Sequence, residues 1–342
     1  MAPPSENSGN SSEKNYRFSI QKAAESHVDE ILARRERARA TRAAALASHT
    51  EPISIKTELT RVRPTEGVTD AAAAPTAVNS AQTAGYLLAV GDSWFDYPIH
   101  DVLTRLDDNY GYNIESAAHK GDPIEAMVSH SGQLDKFARC MDKLVAIGAS
   151  PKAVLISGGG DDIAGPEFGM LVNDINLPNA GWNEQVVAGV IDGRVAAAYR
   201  MMLVSIDTLC QKRLGRTFPI LVHGYDYPVP DGRGFLGGWG PFPGPWLKPG
   251  FDEKLFLDLA TTTKMMADLI DRFNSMLQHL VQEPEFGDVH YIDLRGILSN
   301  SSANYKDWWA NELHPSGGNV TGGSDGFSAV AAKFQAVISK LP

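Results

Sequence analysis

From Tyr86 onward the chain alternates short apolar runs with amphipathic stretches, and this alternation constrains its fold more than any other feature. The runs are Tyr86–Val90, Tyr112–Glu115, Ala153–Ser157, Phe218–Val222 and Val289–Ile292. Strands this apolar along their length are buried on both faces, which requires a mainly parallel sheet covered by helices. Helices are expected at Asp135–Ile147, Val195–Leu209 and Ser328–Lys340. The last carries Val330, Phe334, Val337 and Ile338 on one stripe. The expected fold class is α/β, a three-layer α/β/α sandwich. In such sheets ligands meet the chain beyond the carboxyl ends of the strands.

The alternation does not reach the N-terminal quarter, and composition changes sharply near residue 83. Residues 1–83 read as a disordered or partly helical arm, and residues 84–342 as a single large α/β domain. Within the arm a helix is expected over Ser26–Ala47, where Arg34, Arg35, Arg37, Arg39 and Arg42 stand among alanines. Its apolar stripe is thin. The sequence therefore predicts a solvated helix in a mobile arm, with docking to a protein partner as the alternative. The arm holds 11 Lys/Arg and 10 Asp/Glu, which leaves the remainder at −11 and the whole chain at −10. So acidic a surface argues against nucleic acid and anionic membranes as partners, because phosphate contacts need clustered cations.

No apolar stretch approaches the roughly 18 residues that would suggest a membrane span. Met1–Lys14 is rich in Ser, Asn and Glu, and no signal-peptide core follows it. The default expectation is a cytoplasmic protein, with signal-less export as the alternative. Two cysteines, Cys140 and Cys210, exclude a disulfide scaffold or a cysteine-ligated zinc domain and are expected as buried free thiols, with a single disulfide as the alternative.

Four strand-end segments carry polar residues suited to chemistry. The first strand runs into Gly91-Asp92-Ser93-Trp94, where a turn can present a serine oxygen and its N–H. The second leads to His119-Lys120-Gly121-Asp122-Pro123, in which Gly121 lets the backbone approach a ligand closely. The third ends in Ser157-Gly158-Gly159-Gly160-Asp161-Asp162, either an oxyanion-binding loop or a carboxylate metal site. After the last comes Trp308-Trp309-Ala310-Asn311-Glu312-Leu313-His314-Pro315, whose imidazole can serve Ser93 as a base. On the metal reading Asp92, Asp161, Asp162 and His314 would supply the ligands.

Together, and in this order, the four segments resemble the blocks of the SGNH hydrolases, the GDSL esterase/lipase family. The resemblance runs from Tyr86 to the C-terminus. It implies a flavodoxin-like sheet and a serine esterase or lipase acting on acyl esters through a Ser/His acyl-enzyme, with no metal or organic cofactor. An acyltransferase or a carbohydrate O-deacetylase on the same site is the alternative, and a non-catalytic binding domain a more distant one. The resemblance carries the nucleophile to Ser93 and the base to His314, oriented by Asn311. It carries the oxyanion hole to Ser93, Gly121 and Asp161. Two positions depart from the family pattern. Asp161 stands where the family has an oxyanion-binding Asn, so it must either be protonated to donate or leave the task to the glycine-loop N–H groups. Asn311 stands where the family has the triad Asp, and Glu312 is a candidate substitute if its side chain turns inward.

The expected substrate is a small-molecule, lipid or glycan ester. Trp94 and Tyr225 are candidate pocket residues. So is Trp239, in the Gly/Pro-rich stretch up to Phe251 with Phe235, Phe242 and Trp246, where rings can either bind an acyl chain or a sugar face or simply order a long loop.

Overall fold

The computed structural model describes residues 7–47, 83–98, 100–129, 132–238, 242–318 and 323–342. Five strands make one sheet: β1 (Gly85–Val90), β2 (Tyr112–Ser116), β3 (Pro151–Ile156), β4 (Ile220–His223) and β5 (Val289–Ile292). Their order is β2-β1-β3-β4-β5, and every neighbouring pair is parallel. This is the doubly wound, flavodoxin-like order, with its crevice between the carboxyl ends of β1 and β3. Leu87–Val90, Ala153–Ile156 and all of β4 are buried, whereas the edge strands β2 and β5 are only partly so. That is why Asn113 and Glu115 are tolerated in β2.

Five helices cover the sheet: α2 (Val102–Tyr110), α3 (Gln133–Ala146), α4 (Ala196–Leu214), α5 (Leu259–Val281) and α6 (Gly326–Ile338). α3, α4 and α5 lie on one face, while α2 packs with α6 on the other. Asp101, Asp258 and Asp325 start α2, α5 and α6 by accepting the N–H of Thr104, Thr261 and Ser328 at 2.7–2.9 Å. The sandwich is therefore three-layered, as the apolar runs require. Cys140 and Cys210 are buried free thiols. Among the described residues no helix is long and apolar enough to cross a membrane.

The N-terminal helix departs from the solvated helix expected over Ser26–Ala47. It spans Asn7–Ala47 (α1) and lies on α4 and α3 as a further layer. Ala24, Val28 and Ile31 recur on one face and are fully buried. Arg35 and Arg213 share Asp142 at 2.8–3.2 Å, and Arg17 reaches Glu285 at 3.0 Å. The stripe is thin, as read. It docks because the body supplies an apolar face ringed by carboxylates that match its arginines. Beyond Ile31 the helix is mostly exposed, and from Glu36 to Ala47 almost wholly so.

Candidate active site

The first strand-end loop is built to project Ser93. Asp92 accepts the N–H of Trp94 on its side chain at 3.0 Å and that of Phe95 on its carbonyl at 3.1 Å, which closes a tight turn with Ser93 at the tip. The same buried carboxylate takes the Ser157 hydroxyl at 2.6 Å and the Tyr225 hydroxyl, tying the β1 loop to those after β3 and β4. Gln133 of α3 pairs with both backbone groups of Gly91 at 2.8 Å and reaches Asp122 at 3.0 Å, which adds the loop after β2.

Across the crevice, His314 Nε2 lies 2.6 Å from Ser93 Oγ. Its Nδ1 lies 3.0 Å from Asn311 Oδ1, which also accepts the N–H groups of Leu313 and His314 at 2.9 Å. An amide oxygen only accepts, so Nδ1 carries the proton and Nε2 keeps its lone pair for Ser93. The ring is sandwiched, with Tyr97 stacked on it at 4.3 Å and Trp246 edge-on at 5.7 Å. Burial pushes the His314 pKa down to about 3, so the imidazole rests neutral. Tyr97 also accepts from Asn311 Nδ2 at 3.0 Å, and burial lifts its phenol to about 12.

The chain thus brings Ser93 together with His314 and Asn311, more than 200 residues later in sequence, at the carboxyl edge of a β2-β1-β3-β4-β5 sheet. The fold is a flavodoxin-like three-layer sandwich.

Within this fold the remaining candidates divide. Gly121 and Asp161 line the same cleft as Ser93 and His314. Gly121 adopts φ +82, a region open to glycine at no steric cost, and among the described residues its N–H and that of Ser93 have no hydrogen-bond acceptor. Asp161 Oδ2 is buried without a hydrogen-bond partner. Burial, with the charges of Asp92, Asp162 and Asp122, pushes its carboxyl up to about 8. Burial likewise lifts Asp162 to about 6, against the opposing hydrogen bond from Ile124 N–H at 2.8 Å.

Other readings are corrected. The Gly160 N–H donates to Tyr225 at 3.1 Å, so it is not free for an oxyanion. Glu312 does not face His314; its carboxylate accepts four N–H groups from the 232–248 segment. Tyr225 and Trp94 are buried, with the Tyr225 hydroxyl given to Asp92 and the Trp94 indole N–H to the Leu313 carbonyl at 3.1 Å. They offer a ligand only ring surface. Trp239 lies outside the described residues. Both His314 nitrogens are engaged, so the Asp92, Asp161, Asp162 and His314 set does not converge as a ligand shell, and among the described residues no group of three or more His, Cys, Asp or Glu could hold a metal ion.

Two spaces meet at Ser93, Asp161 and Leu313. One is narrow, about 40 Å³, walled by Ile163, Ala164, Leu247, Met266 and Trp309. The other is an open cleft of about 340 Å³ on the His314 side, lined by Tyr97, Phe235, Phe242 and Trp246. Tyr97 and Trp246 were not singled out beside His314 from the sequence. Nothing in their spacing marks them, because they reach the imidazole only through the packing of separate loops.

No protein-family model matches the chain, and no curated protein matches it. Solved structures that resemble it include a GDSL-like lipase from Parabacteroides merdae, 13% identical, covering 75% of this chain and 97% of that one at TM-score 0.41. The acetylxylan esterase Axe2 from Geobacillus stearothermophilus is 14% identical, covering 75% and 95% at TM-score 0.35. The catalytic domain of peptidoglycan O-acetyltransferase A from Streptococcus pneumoniae is 12% identical, covering 76% and 96% at TM-score 0.33.

Proposed function

We propose that the protein is a serine esterase that cleaves short-chain acyl esters of ring-bearing alcohols through an acyl-enzyme on Ser93. The observation that carries the reading is the 2.6 Å contact between Ser93 Oγ and a neutral His314 Nε2, whose tautomer is fixed by Asn311. Ser93 Oγ bonds to the ester carbonyl carbon while its proton passes to Nε2. The carbonyl oxygen becomes an oxyanion facing the free N–H groups of Ser93 and Gly121, with the protonated carboxyl of Asp161 as third donor. Collapse breaks the bond to the alcohol oxygen, which takes the proton from Nε2 and leaves. A water oxygen then bonds to the acyl carbon as its proton passes to Nε2, and collapse breaks the bond to Ser93 Oγ, which takes that proton back and releases the acid.

The direction of proton transfer assigns the two spaces. The leaving oxygen must receive its proton from His314, so the alcohol occupies the wide aromatic cleft on that side. The acyl group is left to the narrow space, walled by Ile163, Ala164, Leu247, Met266 and Trp309. A cleft wide enough for a leaving alcohol also admits an acceptor alcohol in place of water, and this supports acyl transfer, or deacylation of a carbohydrate ester, as the second reading.

The test is turnover of p-nitrophenyl esters from acetyl to octanoyl. kcat/KM should be greatest for acetyl or propanoyl and fall steeply with length. Ser93→Ala should lower kcat by about four orders of magnitude or more without changing the fold. Near-wild-type turnover by the folded variant would refute the assignment, and a rate rising towards octanoyl would refute the division of the spaces.

A further inference from the structure

Glu312 stands two residues before His314, is completely buried, and points away from the imidazole. Its Oε1 accepts the N–H of Gly232 at 2.8 Å and of Lys248 at 3.1 Å; Oε2 accepts those of Trp246 at 2.7 Å and Leu247 at 2.8 Å. A carboxylate has about four acceptor positions, and here all are filled from one segment. That segment returns the contact. The carbonyl of Arg233 accepts the Glu312 N–H at 3.1 Å, and its guanidinium donates to the carbonyl of Trp309 at 2.8 Å. Among its described residues the segment between these anchors has one short turn at Phe235–Gly237 and otherwise irregular backbone, and it carries Phe235, Phe242 and Trp246 of the open cleft and Leu247 of the narrow space. The rings otherwise rest on neighbouring rings, Phe235 edge-on to Tyr97 and Phe242, and Trp246 edge-on to His314, with one backbone tie from the Gly165 N–H to the Trp246 carbonyl at 3.2 Å.

We propose that Glu312 is a positioning residue that clamps the 232–248 segment to the His314 loop and thereby sets the fit of the alcohol half of the substrate. The proposal rests on the Ser93/His314 reading for its substrate side. Charge and shape both matter to it. A glutamine keeps one acceptor oxygen and turns an amide NH₂ towards two N–H groups, so two bonds are lost and donors face donors.

The experiment compares the full-length protein with Glu312→Gln on two esters of the same short acid, one of phenol and one of methanol, after circular dichroism has established that the variant is folded. KM for the phenyl ester should rise about tenfold, the equivalent of one charge-assisted hydrogen bond, with kcat held within about twofold. The methyl ester, which does not reach the rings, should be unaffected. In parallel, chymotrypsin should cut the variant faster after Phe235, a readout independent of turnover. Should Glu312→Gln fail to fold, Arg233→Met severs the other half of the clamp and should give the same split and the same cutting. An equal fall in kcat on both esters with KM unchanged would overturn the proposal, since it would place Glu312 in the support of His314. Wild-type KM together with wild-type resistance to chymotrypsin would also overturn it. If the wild type turns over neither ester, the esterase reading fails while the protease result still decides the clamp.

Discussion

At Asp161 the chain buries a carboxyl among three others, Asp92, Asp162 and Asp122, and leaves its Oδ2 without a donor. Ionisation there is opposed first by lost hydration and then by like charge, which holds the group neutral up to about pH 8. As a donor to the oxyanion it would be lost as pH rises through that value. kcat/KM should therefore fall on the alkaline side, and Asp161→Asn, an amide donor at every pH, should abolish the fall. The same shift has a sign for stability. Because the native state keeps a proton that the unfolded chain releases near pH 4, the contribution is fully present below that pH and lost as pH rises to about 8. The gap in Tm between Asp161→Asn and wild type should accordingly widen from pH 5 to pH 8, and a constant gap would show that Asp161 ionises normally.

Asn311 poses the complementary case, a residue that orients His314 without charge. Asn311→Asp should place a negative charge 3.0 Å from Nδ1, and Tyr97 can accommodate it by turning its hydroxyl to donate. The imidazolium is then stabilised, and kcat should rise. The acid limb of kcat/KM, which in the wild type His314 would set only near pH 3, should move up towards the ordinary histidine range of about 6.5. An unmoved acid limb would mean that burial alone governs the imidazole.

On the scale of elements, the site consists of loops pinned to one another rather than to their own strands. Asp92, Gln133 and Glu312 each join segments that are remote in sequence, and each does so from a buried position. α1 is different. It contributes Val28 and Ile31 to the core on the face of the sheet formed by α3 and α4 but no residue to either space at Ser93. A chain beginning at Thr83 should therefore keep kcat/KM while losing stability. Losing the burial of those two side chains and uncovering the face that receives them costs about 3–6 kcal/mol, and Tm should fall. Lost activity in a folded truncation would show that the arm acts on the site. Unchanged Tm would show that α1 does not dock in solution.

Across the whole molecule, sequence and tertiary structure determine different things. The five apolar runs were sufficient to specify a buried parallel sheet, because no other arrangement hides such strands on both faces. The strand-end positions of Ser93, Gly121 and Asp161 followed from the same reading, since each lies within a few residues of a run, whereas His314 lies 22 residues beyond the last one. His314 and Asn311 were reached through the resemblance of their block, which carries over the base and the position that orients it. Partners set by packing were not legible. Tyr97 on the imidazole, the Tyr225 hydroxyl on Asp92 and the turn of Glu312 away from His314 each depend on how loops from separate strands settle against one another. The docking of α1 was equally hidden, because a stripe of Ala24, Val28 and Ile31 is too thin to announce burial without the face that receives it. Periodicity records which side of an element meets the core, a local property written at fixed spacing. Which side chain meets which across a crevice depends on contacts between residues up to 221 positions apart, as between Ser93 and His314, and only the closed sheet brings those together.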